Sequence, residues 1–294
     1  MKNPGLVLRA ATWFTVLAIG SITLYLVAKL FLSGTSAAGL QVIGQTLQSS
    51  AFWSAVAVGL LAQAIDGALG MAYGVTASTF LLGMGATPAV ASASVHIAEI
   101  FTTGVSGIAH VRYGNVNKKL FLRLLVPGTL GALAGVVLVT QIDGKLLKPY
   151  VAAYLLLMGL YILSKAFRRI RAAQQEPRHV GKLALFGGFV DSVGGGGWGP
   201  VVTSTLVGTG NDPRTTIGSV NFAEFFLTLA TAAAFTALAV DGLWITVAGL
   251  VIGGLFAAPF AALLCSKMHT RVLLILVGVL ITSLSAWNVY RALA

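Results

Sequence analysis

Charged residues are scarce in this sequence. Only 9% of its 294 residues are Asp, Glu, Lys or Arg, whereas 57% are hydrophobic. A soluble domain carries about 25% charged residues, so this deficit excludes an ordinary soluble protein. Long apolar runs indicate an all-α integral membrane protein of about 9–11 membrane segments, at about 20 residues per crossing. No stretch is long or polar enough to form a separate soluble domain.

Cysteine is almost absent, and the usual catalytic motifs are missing. Cys265 is the only cysteine, which excludes an internal disulfide, and its apolar surroundings favour an inert core thiol. The four histidines, at positions 96, 110, 179 and 269, are too dispersed to predict a metal site. Walker, GxSxG, HExxH and CxxC motifs do not occur. The sequence therefore predicts no cofactor and no metal, and it does not favour an enzyme.

The formal net charge of +11 does not indicate a nucleic-acid partner. No nucleic-acid motif occurs, and basic residues are not interleaved with aromatic ones. In membrane proteins, basic residues collect in cytoplasmic loops. The basic loops are 1–9, 110–123, 165–182 and 267–271, whereas 33–50 and 239–243 are poor in Lys and Arg. We therefore expect a multi-pass protein with a cytoplasmic N-terminus. Its first apolar run, 10–32, is longer than the apolar core of a signal peptide.

The apolar runs also predict one segment that is too short to cross the membrane. The runs lie near 10–32, 51–65, 71–85, 89–109, 120–140, 146–164, 183–190, 200–210, 215–240, 243–265 and 272–290. A helix over 180–191 would be about 18 Å long at 1.5 Å per residue, but the hydrocarbon core is about 30 Å thick. We expect this segment to dip into the membrane and stop, or to continue as broken backbone.

Two parts of the sequence repeat each other. "AIDGALGMAYGVTASTFLLGMGATPAVASASVHIAE" (64–99) aligns without a gap with "FVDSVGGGGWGPVVTSTLVGTGNDPRTTIGSVNFAE" (189–224) at a shift of 125 residues. Chance does not readily place two acidic pairs and a proline pair in one register. The aligned pairs include Asp66 with Asp191, Glu99 with Glu224 and Pro88 with Pro213. We therefore divide the chain into an N-terminal helix with an external loop (1–50), repeat one (51–170) and repeat two (171–294), which form one transmembrane domain.

The basic loops predict that the two repeats are inverted. If the N-terminus and the basic loops are cytoplasmic, repeat one starts outside the membrane and repeat two starts inside it. Inverted repeats that carry interrupted helices at corresponding positions are typical of secondary transporters.

The stretch "FVDSVGGGGWGP" (189–200) places an aspartate and four consecutive glycines inside an apolar chain. Glycine loosens a helix, and broken backbone in a membrane is tolerated only where it is buried in protein or lines a wet cavity. The stretch predicts a helix end, an unwound turn and a new half-helix that starts near Pro200. Free amides at the start of a half-helix are a candidate anion site. "DGALGMAYG" (66–74) is the weaker counterpart in repeat one.

We expect the two breaks to face each other and to bind a substrate between them. The candidate substrate-binding residues are Asp66, Gly70, Thr76, Asp191, Ser192, Gly195, Gly196, Gly197, Gly199, Thr203 and Asn221. Close packing of helices through small residues is the alternative explanation for the glycines. Helix capping is the alternative explanation for Asp66 and Asp191.

Two glutamates lie inside apolar runs. A charged carboxylate at the centre of a membrane helix costs about 2.5–3.5 kcal/mol, and such residues usually mark a transport pathway. His96 precedes Glu99 by three residues and shares its helix face, as Asn221 does with Glu224. We predict that His96, Glu99 and Glu224 couple protons or gate the site. A structural polar clamp between two helices is the alternative.

These features resemble the sulfite exporter TauE/SafE family. The resemblance rests on two Asp/Gly-rich breaks, each followed by Pro and by Ser-Val-x-x-Ala-Glu, and on the basic turn "RYGNV"; it covers about 50–290. It implies a transporter in the bacterial inner membrane that exports small anions such as sulfite or organosulfonates without ATP. The implied partners are the lipid bilayer and a small anionic substrate. The sequence leaves open whether the chain forms a homo-oligomer.

Other functions remain open at this stage. The paired carboxylates are compatible with a proton-coupled carrier of another ion, including a cation. A channel is a further alternative, as is an intramembrane enzyme that uses His96 and Glu99 as acid and base. Repeat one has "DGALG" where repeat two has "DSVGGGG", so we expect the two breaks to contribute unequally.

Overall fold

The computed structural model describes residues 5–32, 36–167, 179–209, 211–240, 242–267 and 270–293. Of the residues that the structure describes, 88% are helical and none lies in a β-strand. The prediction of an all-α membrane protein is confirmed. The helices are α1 (Leu6–Leu32), α2 (Ser36–Gln48), α3 (Ser50–Leu69), α4 (Tyr73–Gly83), α5 (Pro88–Arg112), α6 (Lys118–Gln141), α7 (Gly144–Lys165), α8 (Val180–Gly194), α9 (Ser204–Gly208), α10 (Pro213–Ala237), α11 (Trp244–Lys267) and α12 (Thr270–Leu293), with a π-helical segment at Trp198–Thr203. Most of the basic loop 165–182 and the side chain of Cys265 lie outside the described residues.

Helix length separates full spans from half-length pieces. Among the described residues, five helical stretches are long and apolar enough to cross a membrane: Leu6–Leu32, Ser50–Gly67, Lys118–Gln141, Gly144–Lys165 and Pro213–Ala237. Helix α4 has 11 residues and α8 has 15, so they are only about 17 and 22 Å long. The apolar run at 183–190 therefore lies in a short helix, as expected, and the prediction that it does not cross the membrane stays a prediction.

The helix boundaries recur at the shift found in the sequence. Helix α3 ends at Leu69 and α4 begins at Tyr73; 125 residues later, α8 ends at Gly194 and the π-helical segment begins at Trp198. The starts of α5 and α10 are also separated by 125 residues. The new half-helix therefore begins two residues before Pro200, which lies in its first turn.

Glycine ends both broken helices. Gly70 has φ 64° and Gly195 has φ 67°, which is the left-handed conformation that glycine adopts without steric cost. Each glycine amide donates to the carbonyl of the aspartate four residues earlier, Asp66 in α3 and Asp191 in α8. The helices therefore stop at these positions because glycine reverses the sign of φ.

Helices of the first half of the chain pack mainly against those of the second half. Helix α3 packs on α11, α6 on α8, α7 on α12 and α5 on α10. Small residues permit the closest of these approaches, since a Cβ atom at Gly59 would lie 2.5 Å from the carbonyl oxygen of Leu250. Close packing is therefore the role of several glycines outside the breaks. Only 6% of the apolar window of α1 is buried, so α1 lies at the edge of the bundle.

Candidate functional site

Each aspartate binds the start of the half-helix that follows it. Asp191 Oδ1 accepts the amides of Gly197 at 2.6 Å and Trp198 at 2.9 Å. Asp66 Oδ1 accepts the amide of Tyr73 at 3.4 Å. Both aspartates are buried. The capping that the sequence analysis left open for these aspartates is therefore present in both breaks.

The two half-helices meet at their N-termini through reciprocal glycine contacts. A Cβ atom at Gly74 would lie 2.8 Å from the Cα of Gly196, and one at Gly199 would lie 2.7 Å from the Cα of Met71. Gly74 and Gly199 are 125 residues apart in the chain, as are Met71 and Gly196. Each break therefore supplies the small residue against which the other packs, and a larger side chain at Gly74 or Gly199 would separate them.

A cavity lies between these N-termini and contains acidic side chains. Its lining residues are Asp66, Ala72, Gly74, Val75, Glu99, Asp191, Gly196, Gly197, Gly199, Pro200 and Glu224. All four carboxyl residues of this lining are buried. The cavity has room for about one water molecule, so a larger ligand such as an oxyanion does not fit in this conformation.

His96 and Asp191 form a buried pair between α5 and α8. The Nδ1 of His96 lies 2.7 Å from the carbonyl oxygen of Ser92, which can only accept, so Nδ1 carries a proton. His96 Nε2 lies 3.1 Å from Asp191 Oδ2. A hydrogen bond at this distance needs one proton, held by the imidazole or by the carboxyl group. The pair is therefore a place where a proton is held inside the protein.

The counterpart of this pair in the other half is not hydrogen-bonded. Asn221 occupies the position equivalent to His96, and its Oδ1 is buried without a partner among the described residues. Glu99 Oε2 is also buried and unpartnered there, although Glu99 lines the cavity. Unpaired buried acceptors are costly. Glu99 Oε2 can therefore bind a proton, a water molecule or a ligand, whereas Asn221 Oδ1 can accept a hydrogen bond only from a water molecule or a ligand.

The structure brings only part of the predicted set to the cavity. The predicted residues that line it are Asp66, Glu99, Asp191, Gly196, Gly197, Gly199 and Glu224. His96 does not line the cavity itself, but it contacts Asp191, which does. Gly70 and Gly195 cap the C-terminal ends of α3 and α8. The remaining predicted residues, Thr76, Ser192, Thr203 and Asn221, are buried but do not line the cavity.

The backbone amides of the glycine run are already occupied. Asp191 accepts the amides of Gly195 and Gly196 through its carbonyl oxygen and that of Gly197 through its side chain. In this conformation, an oxyanion would have to displace Asp191 to reach the Gly197 amide. This competition between Asp191 and an anion could not be predicted from the sequence, because it depends on how the chain turns back after α8.

Hydroxyl groups from other helices fix the carbonyl groups of the second break. Ser78 donates to the carbonyl of Gly195 at 2.5 Å, Ser92 to that of Ser192 at 2.6 Å, and Tyr154 to that of Gly196 at 3.1 Å. Sequence reasoning missed Ser92 and Tyr154. No local pattern marks these residues, because their partners are 100 and 42 residues away.

The comparisons with known proteins agree with this architecture. The family model of the sulfite exporter TauE/SafE family matches residues 55–287. A protein of Bacillus subtilis (strain 168), described as "Probable membrane transporter protein YtnM", is 43% identical over 231 residues, which cover 75% of this chain and 77% of that protein. No solved structure matches the chain. The fold and the similarity together define a membrane transport protein rather than an enzyme. The chain belongs to the sulfite exporter TauE/SafE family.

Proposed function

We propose that this protein is a secondary transporter of small sulfur-containing anions, such as sulfite or organosulfonates, and that it exports them across the bacterial inner membrane. The observation that carries the proposal is the meeting of two half-helix N-termini at one buried cavity. Family membership supports the substrate class. Helix N-termini attract anions through free amides and the helix dipole.

The binding site proposed for the anion is the cavity between the breaks. Helix α4 begins without a side-chain hydrogen bond from its N-cap residue, Ala72, and Gly74 and Val75 of its first turn line the cavity. Gly199 lines the cavity from the other half-helix. An incoming oxyanion would bind these amides first, and it would then replace the Asp191 carboxylate at the amides of Gly197 and Trp198.

The carboxyl groups of the cavity indicate that anion binding is coupled to proton binding. An anion among four ionised carboxylates in a dry cavity would be strongly repelled. Protons on Glu99, Glu224 and the His96–Asp191 pair would remove this repulsion. We therefore propose that the anion binds with protons, and that these side chains release protons when the cavity opens to the other side.

The repeated boundaries and reciprocal contacts support an inverted-repeat transporter. In such proteins, one repeat moves against the other around a site near the membrane midplane. With a cytoplasmic N-terminus, the two breaks would approach this site from opposite sides of the membrane. An inside-negative potential would favour export by about 2.3 kcal/mol per 100 mV for each negative charge of the anion that no cotransported proton neutralises.

The proposed function is tested by efflux from proteoliposomes. Purified protein is reconstituted with sulfite inside, and taurine, sulfoacetate, thiosulfate, sulfate and chloride are compared with it. We expect saturable efflux of sulfite or a sulfonate that responds to membrane potential and is absent from empty liposomes. Leak-level rates for every anion, from protein shown to be folded, would contradict the proposal.

The coupling role of Glu224 has its own test. Glu224→Gln keeps the size of the side chain but removes the carboxyl group that exchanges a proton. We expect the pH dependence of flux to change, because one of the proton-binding groups of the cavity is lost. The pH profile of flux between pH 5 and 9 is measured for both proteins, and an unchanged profile in a folded variant would exclude the role.

A cation carrier is the second candidate, and the acidic lining favours it. Paired carboxylates are ordinary cation ligands. Among the described residues, however, no group of three His, Cys, Asp or Glu side chains is arranged to hold a metal ion. Saturable flux of Na⁺ or K⁺ in the same liposomes, without specific anion flux, would favour this candidate.

A further inference from the structure

A second pocket lies where α6, α8 and α10 begin. It is separate from the cavity between the breaks and shares no lining residue with it. Its lining residues are Asn117, Lys119, Leu120, Arg123, Val180, Asn211, Asp212, Thr215 and Thr216. The function proposed above assigns no role to this pocket.

Three helix N-termini converge on the pocket, and one of them has no side-chain cap. Asn117 caps α6 by accepting the amides of Lys119 and Leu120 at 3.0 and 3.1 Å. Asp212 caps α10 by accepting the amide of Thr215 at 2.9 Å. The N-cap residue of α8, His179, makes no such bond, although Val180 of that helix lines the pocket. Among the described residues, His179 therefore leaves the first amides of α8 available to an acceptor.

A buried hydroxyl group provides independent evidence for a ligand. Thr216 is 1% exposed and lines the pocket, and its Oγ1 has no hydrogen-bond partner among the described residues. A hydroxyl group buried in this way is costly unless something binds it. A ligand with acceptor oxygens would satisfy both this hydroxyl and the α8 amides.

The charges around the pocket favour an anion. Lys119 and Arg123 line it, and among the described residues Asp212 is the one acidic residue of the lining. Asp212 directs Oδ2 toward the amide and hydroxyl of Thr215, at 2.9 and 2.8 Å. These bonds, with Arg214 nearby, hold the pKa of Asp212 below its ordinary value. Asp212 therefore stays ionised, with Oδ2 engaged by Thr215, and the lining carries two cationic side chains, Lys119 and Arg123, against this one carboxylate.

We propose that this pocket binds an oxyanion with several acceptor oxygens, of the sulfite, sulfonate or phosphate class. Arg123 would bind two of the oxygens in its planar fork. Thr216 and the α8 amides would bind the others. The ligand is either a free anion or the phosphate of an anionic lipid, since basic pockets between membrane helices also bind lipid headgroups.

The pocket lies close to the proposed transport site. Thr216 and Glu224 are eight residues apart on α10, which corresponds to about 12 Å along the helix. Ile217, the residue after Thr216, packs where a Cβ atom at Gly70 would be. If the proposed function holds, the pocket is a first binding site for the exported anion on its way to the cavity.

Direct binding tests the pocket without measuring transport. Titration calorimetry with sulfite and with inorganic phosphate is performed on the full-length protein and on Arg123→Ala, Arg123→Lys and Thr216→Val. Arg112→Ala is the matched control, because Arg112 is an exposed arginine outside the pocket lining. We expect about tenfold weaker binding for Arg123→Ala and Thr216→Val, partial recovery for Arg123→Lys and no change for Arg112→Ala.

A lipid arm identifies the source of the oxyanion. Native mass spectrometry compares retention of phosphatidylglycerol and phosphatidylcholine by the same variants. Selective loss of phosphatidylglycerol from Arg123→Ala, with unchanged affinity for free anions, would assign the pocket to a lipid headgroup. Free-anion and lipid binding that are both identical in Arg123→Ala, Thr216→Val and Arg112→Ala would overturn the proposal.

The outcome is separable from that of the proposed function. Anion binding that depends on Arg123 but is accompanied by no saturable flux would support the pocket and contradict the transporter. Saturable flux without any binding that depends on Arg123 would support the transporter and contradict the pocket.

Discussion

The two breaks in the bundle have the same plan but are held with different strength. In the first, Asp66 accepts one backbone amide at 3.4 Å. In the second, Asp191 accepts two amides, at 2.6 and 2.9 Å, and also pairs with His96. Equivalent positions in the two repeats therefore have different roles. We infer that the second break is the more rigid one and that the first is the easier one to move.

The backbone conformation also indicates that the first break is held less firmly than the second. The residues before the two half-helices are Ala72 and Gly197, which are 125 residues apart. Ala72 has φ 114°, a conformation that an L-residue adopts at a cost of about 1–3 kcal/mol. Gly197 has φ −147°, which carries no such cost. The first break therefore stores strain that the second does not.

The largest expected effect comes from Gly196, which packs directly on the first break. A Cβ atom there would overlap the carbonyl carbon of Gly74 and the amide of Val75. Gly196→Ala should separate the half-helices, lower stability by about 1–3 kcal/mol or more and reduce flux to the leak level. Gly208→Ala is the control, because a Cβ atom at Gly208 meets nothing within 4 Å. Equal flux in both variants would mean that the breaks do not need close contact.

Replacing each aspartate tests directly whether the second break is held more firmly than the first. Asp191→Asn keeps an oxygen that can accept the two backbone amides but removes the charge that strengthens these bonds, each worth about 1.5–3 kcal/mol when charged, and it leaves His96 poorly paired. Asp66→Asn removes the charge behind only one long bond, which is worth about 0.5–1.5 kcal/mol, and keeps an oxygen that can accept it. We expect the larger fall in melting temperature for Asp191→Asn, measured by thermal unfolding in the same detergent. An equal or larger fall for Asp66→Asn would show that the first break is the more firmly held.

Exchanging His96 and Asn221 tests where the proton is held. His96→Asn gives this position the residue found at its counterpart and leaves Asp191 without its imidazole partner. We expect a changed pH profile of flux, with Asp66, Glu99, Asp191 and Glu224 as the remaining titratable groups of the cavity. Asn221→His keeps the original pair and should retain more of the wild-type profile. Identical profiles for all three proteins would remove His96 from proton coupling.

The smallest expected effect is relief of the strain at Ala72. Ala72→Gly should raise stability by about 1 kcal/mol, because the strain removed exceeds the entropy that glycine loses on folding. Ala239→Gly is the control, since Ala239 also has a positive φ, of 57°, but lies outside the cavity lining. Thermal unfolding measures both variants. A lower melting temperature for Ala72→Gly would show that its methyl group contributes more than the strain costs.

Much of this fold follows from sequence because the helix ends depend on local chemistry. Apolar runs predicted the spans, and the shift of 125 residues predicted that the breaks recur. The glycine-rich stretches predicted a helix end followed by an unwound turn, whereas the structure adds that Gly70 and Gly195 end these helices in the left-handed conformation. The buried positions of Glu99 and Glu224 followed from their place in apolar runs, and the structure confirms their burial.

The interior of the site did not follow from sequence. Pairing of His96 with Asp191 joins residues 95 positions apart, and Asn221 carries no mark that its Oδ1 is left unpartnered. Of the amides assigned to an anion, those of Gly195 and Gly196 proved to be bound by the backbone carbonyl of Asp191, and that of Gly197 by its carboxylate. Such contacts depend on how helices pack, and single-sequence patterns report only periodicity and local turns.

The central claim is that the anion binds between the two breaks, and its location can be measured directly. Crystals of the protein soaked with selenite, a heavier analogue of sulfite, would show selenium by anomalous scattering. We predict a selenium peak in the cavity lined by Gly74, Gly199 and Glu99, with Asp191 moved away from the amide of Gly197. Selenium found only elsewhere, in crystals of protein that transports selenite saturably, would contradict it.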